Sequence, residues 1–129
     1  MKQIAIPVVF AEEIGIAAWF YCNKLGFHVV CNETGLTVQR DGMTLQVDRI
    51  DNIHQSGVLT ALLTSHRIRD LHAEFLERKV PTLTNLHNQR YRPLQFSLRD
   101  ASGNHLIFTG PRPVLYRPEK ASETVSGFH

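Results

Sequence analysis

The sequence predicts an α+β domain built from two tandem βαβββ modules. Three observations predict it. Apolar and polar residues alternate over runs of strand length, each half carries one amphipathic helix pattern, and the whole order repeats at an offset of 53 residues. Ile6 stands 53 positions before Leu59, and the two helices follow at that offset.

The first strand spans Gln3 to Phe10. Pro7 lies inside it and has no N–H, which suits a sheet edge or a subunit junction. A helix follows, with Ile16, Phe20 and Asn23 in one line and Ala17 and Tyr21 beside it. Gly26 ends it, because glycine takes the left-handed position after a helix without strain. "FHVVC", "GLTVQR" and "MTLQVD" are rich in β-branched and aromatic residues and read as three strands, the last two joined by the hairpin signal "RDG".

The second half repeats this order. "VLTALLT" is a strand, and "RIRDLHAEFLERK" is a helix with Ile68, Leu71, Phe75 and Leu76 on one face. Arg78 and Lys79 suit the negative end of its dipole. "PTLTN", "PLQFSLRD" and "NHLIF" supply three more strands, with "RDASG" as the counterpart of "RDG". The chain therefore reads as a single domain, 1–129, with module one at about 3–50 and module two at about 57–110. "RIDNIHQSG" joins them, and 111–129, with three prolines, reads as an irregular tail.

Composition narrows the classes. A chain of 129 residues, 43% apolar and 20% charged, can bury one core without disulfide or metal staples. Its formal net charge of +2 is too mild to argue for nucleic acid, and no apolar run approaches the ~20 residues of a membrane span. Cys22 and Cys31 are isolated, outside any CxxC pattern, and read as reduced, small buried hydrophobes in a cytoplasmic protein. From Arg78 to Arg99 there are five Lys or Arg and no Asp or Glu.

Alternation gives each sheet two faces. Met43, Leu45 and Val47 alternate with Thr44, Gln46 and Asp48, and Leu94, Phe96 and Leu98 with Gln95, Ser97 and Arg99. The apolar face must be the one the helices cover. The amide- and hydroxyl-rich face either meets water or lines a cup.

The stretches "IPVVFAEEIGIAAWFYCNKLGF" and "LQFSLRDASGNHLIFTGP" resemble the vicinal oxygen chelate superfamily of glyoxalases, extradiol dioxygenases and bleomycin resistance proteins, closest to its bleomycin-resistance-like branch. The resemblance covers Ile4 to Pro111. It implies cupped mixed sheets with helices on the outer face. It also implies a homodimer, often with exchanged modules or strands, whose ligand crevices lie between subunits. In the family's metalloenzymes, His, Glu or Gln ligands come from the first and fourth strands of each module. Those positions fall on Ile6, Gln46, Leu59 (give or take one residue) and Ile107. A divalent ion needs three or four converging N, O or S donors, and only Gln46 offers one. The resemblance therefore implies no metal and no cofactor here.

Other chemistry finds little support. The seven histidines show no HxH or HExxH spacing, there is no GxSxG, and no paired carboxylates are legible. His72 reads as a half-buried packing residue, and Trp19 and Phe20 as core or dimer packing. His105, two before Ile107, either points into the cup or is a solvent-exposed or dimer-interface histidine. By the resemblance, the loop "NLHNQRYRPLQF" lies over the pocket mouth. There Tyr91 takes a pocket aromatic's place, Arg92 replaces a common glycine and Gln95 a frequent glutamate. The expected ligand-binding set is Ile6, Gln39, Gln46, Leu59, Tyr91, Arg92, Gln95, His105 and Ile107, with no catalytic residue. The expected function is a metal-free binder that sequesters a neutral or anionic aromatic metabolite or antibiotic. The alternatives are a glyoxalase-like lyase or dioxygenase-type enzyme, metal-dependent or cofactor-free, and a sensor or immunity module. Expected partners are a second copy and the small molecule, with neither nucleic acid nor membrane.

Overall fold

The structure, a computed structural model, describes residues 6–51 and 59–113. Most of the expected joining segment, the tail beyond 113, His54, His129 and the start of the first strand lie outside the described residues. In chain order the elements are β1 (Val8–Ala11), α1 (Ile14–Trp19) continued by a π-helical turn (Phe20–Lys24), β2 (His28–Cys31), β3 (Gly35–Arg40), β4 (Met43–Arg49), β5 (Thr60–Thr64), α2 (Ile68–Glu77), β6 (Gln95–Arg99) and β7 (His105–Thr109). They form two mixed sheets, ordered β1-β4-β3-β2 and β5-β7-β6. In each sheet the module's first strand pairs in parallel with its last, and the other pairings are antiparallel. This is the expected α+β architecture of two related modules. Pro7 precedes β1 at a sheet edge, where its carbonyl accepts from Gln46 N at 3.0 Å and no N–H is required.

The alternation buries one face of each sheet. Val9, Leu36, Val38, Leu45 and Val47 of the first sheet share one core cluster with Leu63, Phe96, Leu98, Leu106 and Phe108 of the second. Ala17 and Tyr21 of the first helical segment, and Ile68, Leu71 and Phe75 of α2, complete it. Phe75 meets Phe96 and Phe108 edge-on at 5.9 and 5.6 Å, while Phe96 and Phe108 stack at 5.1 Å. His72 packs beside Phe96 with Nε2 2.9 Å from Thr84 O, as a half-buried packing residue.

Four expectations need correction. The buried positions Val9, Ala17 and Tyr21 have their counterparts 54 residues on, at Leu63, Leu71 and Phe75, so the repeat offset is 54 rather than 53. The apolar lines on the helices are narrower than the pattern suggested: Ile16 and Leu76 are exposed, and so is Trp19 beside the buried Phe20. Cys22 and Cys31 are exposed thiols rather than core residues. The expected strand at 81–85 runs beside β6 without a regular ladder. Thr84 N donates to Ser97 O, but Ser97 N and Arg99 N are received by the hydroxyls of Thr84 and Thr82, each at 2.8 Å. Pro81 has no N–H, and Thr82 turns to φ +64°, so backbone pairing cannot propagate there.

Two polar clamps join the modules. In the first, Arg40 on β3 donates through Nη1 to Leu25 O at 2.8 Å and grips both oxygens of Glu74 on α2. Arg78 Nε donates to Glu74 at 2.8 Å, and its Nη1 to Asn23 O at 2.8 Å. Gly26, at φ +69°, leaves room for this pair, since a Cβ there would stand 2.6 Å from Arg40 Nη1. The hydrogen bonds from Arg40 hold the Glu74 carboxyl below the usual carboxylate range, against its partial burial, and the charges of Arg40 and Arg78 add to the effect. A depressed carboxyl stabilises the fold above its unfolded value and loses that contribution as pH falls through its folded value. Denaturant titrations at neutral pH and below about pH 4 should therefore show an acid-dependent loss of stability that Glu74→Gln makes shallower. An identical acid slope in the variant would show that the clamp is not linked to folding.

The second clamp is the turn between β6 and β7. Asp100 Oδ1 accepts from Ser102 N at 2.9 Å and Asn104 N at 2.8 Å, and Oδ2 accepts from the Tyr21 hydroxyl at 2.6 Å. Gly103, at φ +88°, lets the chain close the turn. Asn104 donates to Phe10 O at 2.7 Å and accepts from Leu59 N at 3.1 Å. One buried side chain thus ties β1, the entry to β5 and the hairpin together. The "RDASGN" turn locks the modules to each other.

Candidate functional site

Each sheet's polar face is open, and the register orders it in rows. On the second sheet Thr60, His105 and Arg99 lie side by side across β5, β7 and β6. Leu62, Ile107 and Ser97 form the next row, then Thr64, Thr109 and Gln95. These residues alternate with buried neighbours such as Leu98, Leu106 and Phe108, so all of them belong to the face away from the core. The face has an apolar strip, Leu62–Ile107, between two polar rows, and no carboxylate on any of its three strands.

The first sheet's open face differs. Val8, Gln46, Thr37 and Val30 form its central row, with Phe10 and Asp48 to one side and Thr44, Gln39 and His28 to the other. Three of its polar side chains, Thr37, Gln46 and Asp48, are engaged with one another. Gln46 Oε1 accepts from the Thr37 hydroxyl at 2.7 Å, and its Nε2 donates to Asp48 at 2.8 Å. Asn32 donates to Thr37 at 3.2 Å, and its Oδ1 holds Thr34 N and Gly35 N in the β2–β3 turn. Large apolar side chains stay in contact with solvent on these two faces: Val8 is 40% exposed, Val30 49% and Leu62 59%, with Ile6 at 52% just before β1.

The loop before β6 forms a rim. His87 bridges to Gln95, and Tyr91, at φ +65°, is exposed with Arg90 Cζ 4.9 Å from its ring centre. Arg92 and Gln95 line a hollow of about 290 Å³ with His87, Gln89 and Pro93. Arg92 also borders a cleft of about 510 Å³ running past Leu94 and Gly110 to the start of α2.

The expected site residues therefore divide. Gln95, His105 and Ile107 share the second open face, and Arg92 stands with Gln95 in the rim hollow. Gln39 and Gln46 belong to the other sheet, and Ile6 precedes β1 there. Tyr91 is on the rim, exposed, with Arg90 over its ring. Leu59 is placed differently from expectation: it packs against the core, and Thr60 takes the open-face position. The one-residue error in the repeat offset causes this, because a shift of one in a strand exchanges its faces. Arg99 completes a row of this face. The alternation Gln95, Ser97, Arg99 was its sequence signal, though it was not selected as a site residue.

The metal positions implied by the resemblance do not fit a divalent ion. Across the sheets Gln46 faces Val8 and Ile107 faces Leu62, Ile6 has no donor, and Thr60, which takes Leu59's place on the face, adds only a hydroxyl to the Gln46 amide, short of the three or four donors a divalent ion needs. The Gln46 amide is held at both ends by its neighbours. Among the described residues, no group of three or more His, Cys, Asp or Glu side chains is placed to hold a metal. No described helix is long and apolar enough to cross a membrane.

Paired modules of this topology, each open on a polar sheet face, share their fold with solved bleomycin-binding proteins and a lactoylglutathione lyase. Among solved structures, the chain is similar to a bleomycin-binding protein from bleomycin-producing Streptomyces verticillus complexed with copper(II)-bleomycin, with a TM-score of 0.71 and 22% identity over 87% of this chain and 99% of that one. It is similar to a bleomycin resistance determinant encoded on the transposon Tn5, with a TM-score of 0.73 and 17% identity over 84% and 98%. A lactoylglutathione lyase from Agrobacterium tumefaciens follows, with a TM-score of 0.64 and 14% identity over 85% and 94%. No family model matches the sequence, and no curated protein sequence does. The likenesses establish a shared fold.

Proposed function

We propose that this protein is a metal-free, cytoplasmic small-molecule binder that works as a homodimer and sequesters a flat aromatic metabolite or antibiotic, neutral or anionic, without altering it. The observation that carries this reading is the second sheet's open face, a strip of Leu62 and Ile107 flanked by neutral and basic donors and free of carboxylates. A mostly apolar hollow with a few polar anchors is what a small-molecule site requires. The exposed Val8, Val30 and Leu62 favour cover by a second copy, which would bring the first sheet's Gln39 and Gln46 opposite Gln95, His105 and Ile107. Solved structures of this fold include proteins named for bleomycin binding. A cationic glycopeptide of that type would meet Arg92 and Arg99 here rather than an acidic cleft. The irregular tail, 111–129, and module limits near 3–50 and 57–110 belong to the same reading.

Titration calorimetry against planar neutral, anionic and cationic aromatics, with a bleomycin as the cationic member, tests it. Binding of a neutral or anionic member, weakened several-fold by Tyr91→Ala or Arg92→Ala, is the expected result. Tight bleomycin binding untouched by those changes would overturn the ligand class. Light scattering at micromolar concentration should give twice the mass of the 14.7 kDa chain, and elemental analysis should find no stoichiometric transition metal. A monomer would remove the dimer, and one bound metal per subunit would remove the metal-free reading.

A further inference from the structure

One end of the second sheet's open face gathers positive charge and unused donors. Arg99 on β6 stands directly opposite His105 on β7, and Thr60 on β5 completes the row. Leu98 and Leu106 beside them are buried, so both side chains leave the core side. The backbone fixes each in place: Arg99 N donates to the Thr82 hydroxyl, and His105 N to Leu59 O at 2.9 Å. Arg99 spends one N–H of its guanidinium, from Nη1, on Gly103 O at 3.0 Å. Among the described residues, no other hydrogen bond engages that guanidinium, and none engages the His105 ring. The next row is the apolar Leu62–Ile107 strip, and β5, β6 and β7 present no Asp or Glu on this face.

We infer that Arg99 and His105 together bind an anionic group, a carboxylate, sulfonate or phosphate, of a ligand whose ring lies on Leu62 and Ile107. This rests on the reading of the face as a ligand site and adds the charge that the site selects. A guanidinium presents its N–H groups in a fixed fork that matches an oxyanion, and hydrogen bonds to charged groups are about twice as strong as neutral ones. The imidazole adds a donor from the adjacent strand, and Thr60 can supply a hydroxyl beyond it. With no acidic side chain on the three strands, the anion meets no like charge there.

Two fluorescent probes of similar shape separate the claims: anilinonaphthalene sulfonate, which is anionic, and phenylnaphthylamine, which is neutral. The wild-type protein should bind the sulfonate more tightly. Arg99→Gln should weaken sulfonate binding roughly 10-fold or more while changing the neutral probe less than about 2-fold, as loss of a charged hydrogen bond predicts. Arg99→Lys should restore part of the loss, and His105→Leu should weaken the sulfonate more than His105→Gln does. Raising the salt concentration should weaken the sulfonate alone. If neither probe binds, the face is not a hollow for planar rings and the underlying reading fails. If both bind and Arg99→Gln affects them equally or not at all, the reading survives and the anion pair is overturned. Thermal melts of Arg99→Lys and His105→Gln verify that the fold is kept.

Discussion

Replacing Gly35 by alanine is expected to cost more stability than the same change at Gly15, Gly26, Gly42 or Gly110. Gly35 opens β3 directly opposite Asp48 on β4, with φ +156°. A Cβ at this position would stand 2.0 Å from Val47 O and 3.0 Å from Asp48 Cα. Both are backbone atoms of the neighbouring strand, so no rotamer change relieves the clash. The strands must part, and the Asn32 turn that holds Gly35 N at 2.8 Å must move with them. Overpacking and a strained dihedral each cost on the order of 1–3 kcal/mol, so Gly35→Ala should lose about 3–5 kcal/mol. Gly42 is the control. It sits at φ +83° in the Asp41–Gly42 hairpin turn, with no atom within 4 Å of an added Cβ. Gly42→Ala should lose only about 1–2 kcal/mol, from the backbone conformation alone. Urea unfolding at an unchanged slope measures both. Equal losses would show that the β3–β4 approach is looser than the structure describes.

The second large effect is expected at Asp100. Asp100→Ala removes the acceptor of the buried Tyr21 hydroxyl, of the buried Asn104 N–H and of the part-buried Ser102 N–H. Buried donors left without partners carry their full desolvation cost, so the loss should reach about 3–5 kcal/mol. Tyr21→Phe removes one hydrogen bond and leaves Asp100 its turn donors, so its cost should stay near 1–2 kcal/mol. The double variant should show coupling, because the two side chains share one hydrogen bond. Burial raises the Tyr21 hydroxyl well above the usual tyrosine range, and the Asp100 charge and hydrogen bond raise it further. A raised group supports the fold fully below its unfolded value and loses that support as pH rises. Wild-type stability should therefore fall above about pH 10, and Tyr21→Phe should be less sensitive there. If Asp100→Ala cost less than 1 kcal/mol, the hairpin would not be the junction that joins the modules.

Much of this architecture was legible before any coordinates. The alternation in "MTLQVD" and "PLQFSLRD" placed Leu45, Val47, Phe96 and Leu98 in the core, since a strand's side chains change face at every residue whatever surrounds it. The Asp41–Gly42 turn and the end of the first helical segment at Gly26 were readable because both need left-handed backbone, which glycine adopts freely. The helix faces were less legible. Ile16, Trp19 and Leu76 have core composition, but whether such a residue is covered depends on how the helix rolls against its sheet.

The candidate site shows the same boundary. Local chemistry showed that Ile6, Leu59 and Ile107, three of the metal positions implied by the resemblance, have no side-chain donor in any fold. It could not place Leu59 and Thr60 on their correct faces, since a repeat read one residue short reverses a whole strand. Nor could it show that Gln46 is held by Thr37 and Asp48 while, among the described residues, the His105 ring and most of the Arg99 guanidinium remain unengaged. The sequence by itself determined the periodic elements and the order of the two modules, because these depend on residue type and spacing along the chain. Only the tertiary structure decided which polar groups are left without a partner among the described residues. Hydrogen-bond partners such as Asp100 and Tyr21 lie 79 positions apart, and register alone brings Arg99 beside His105.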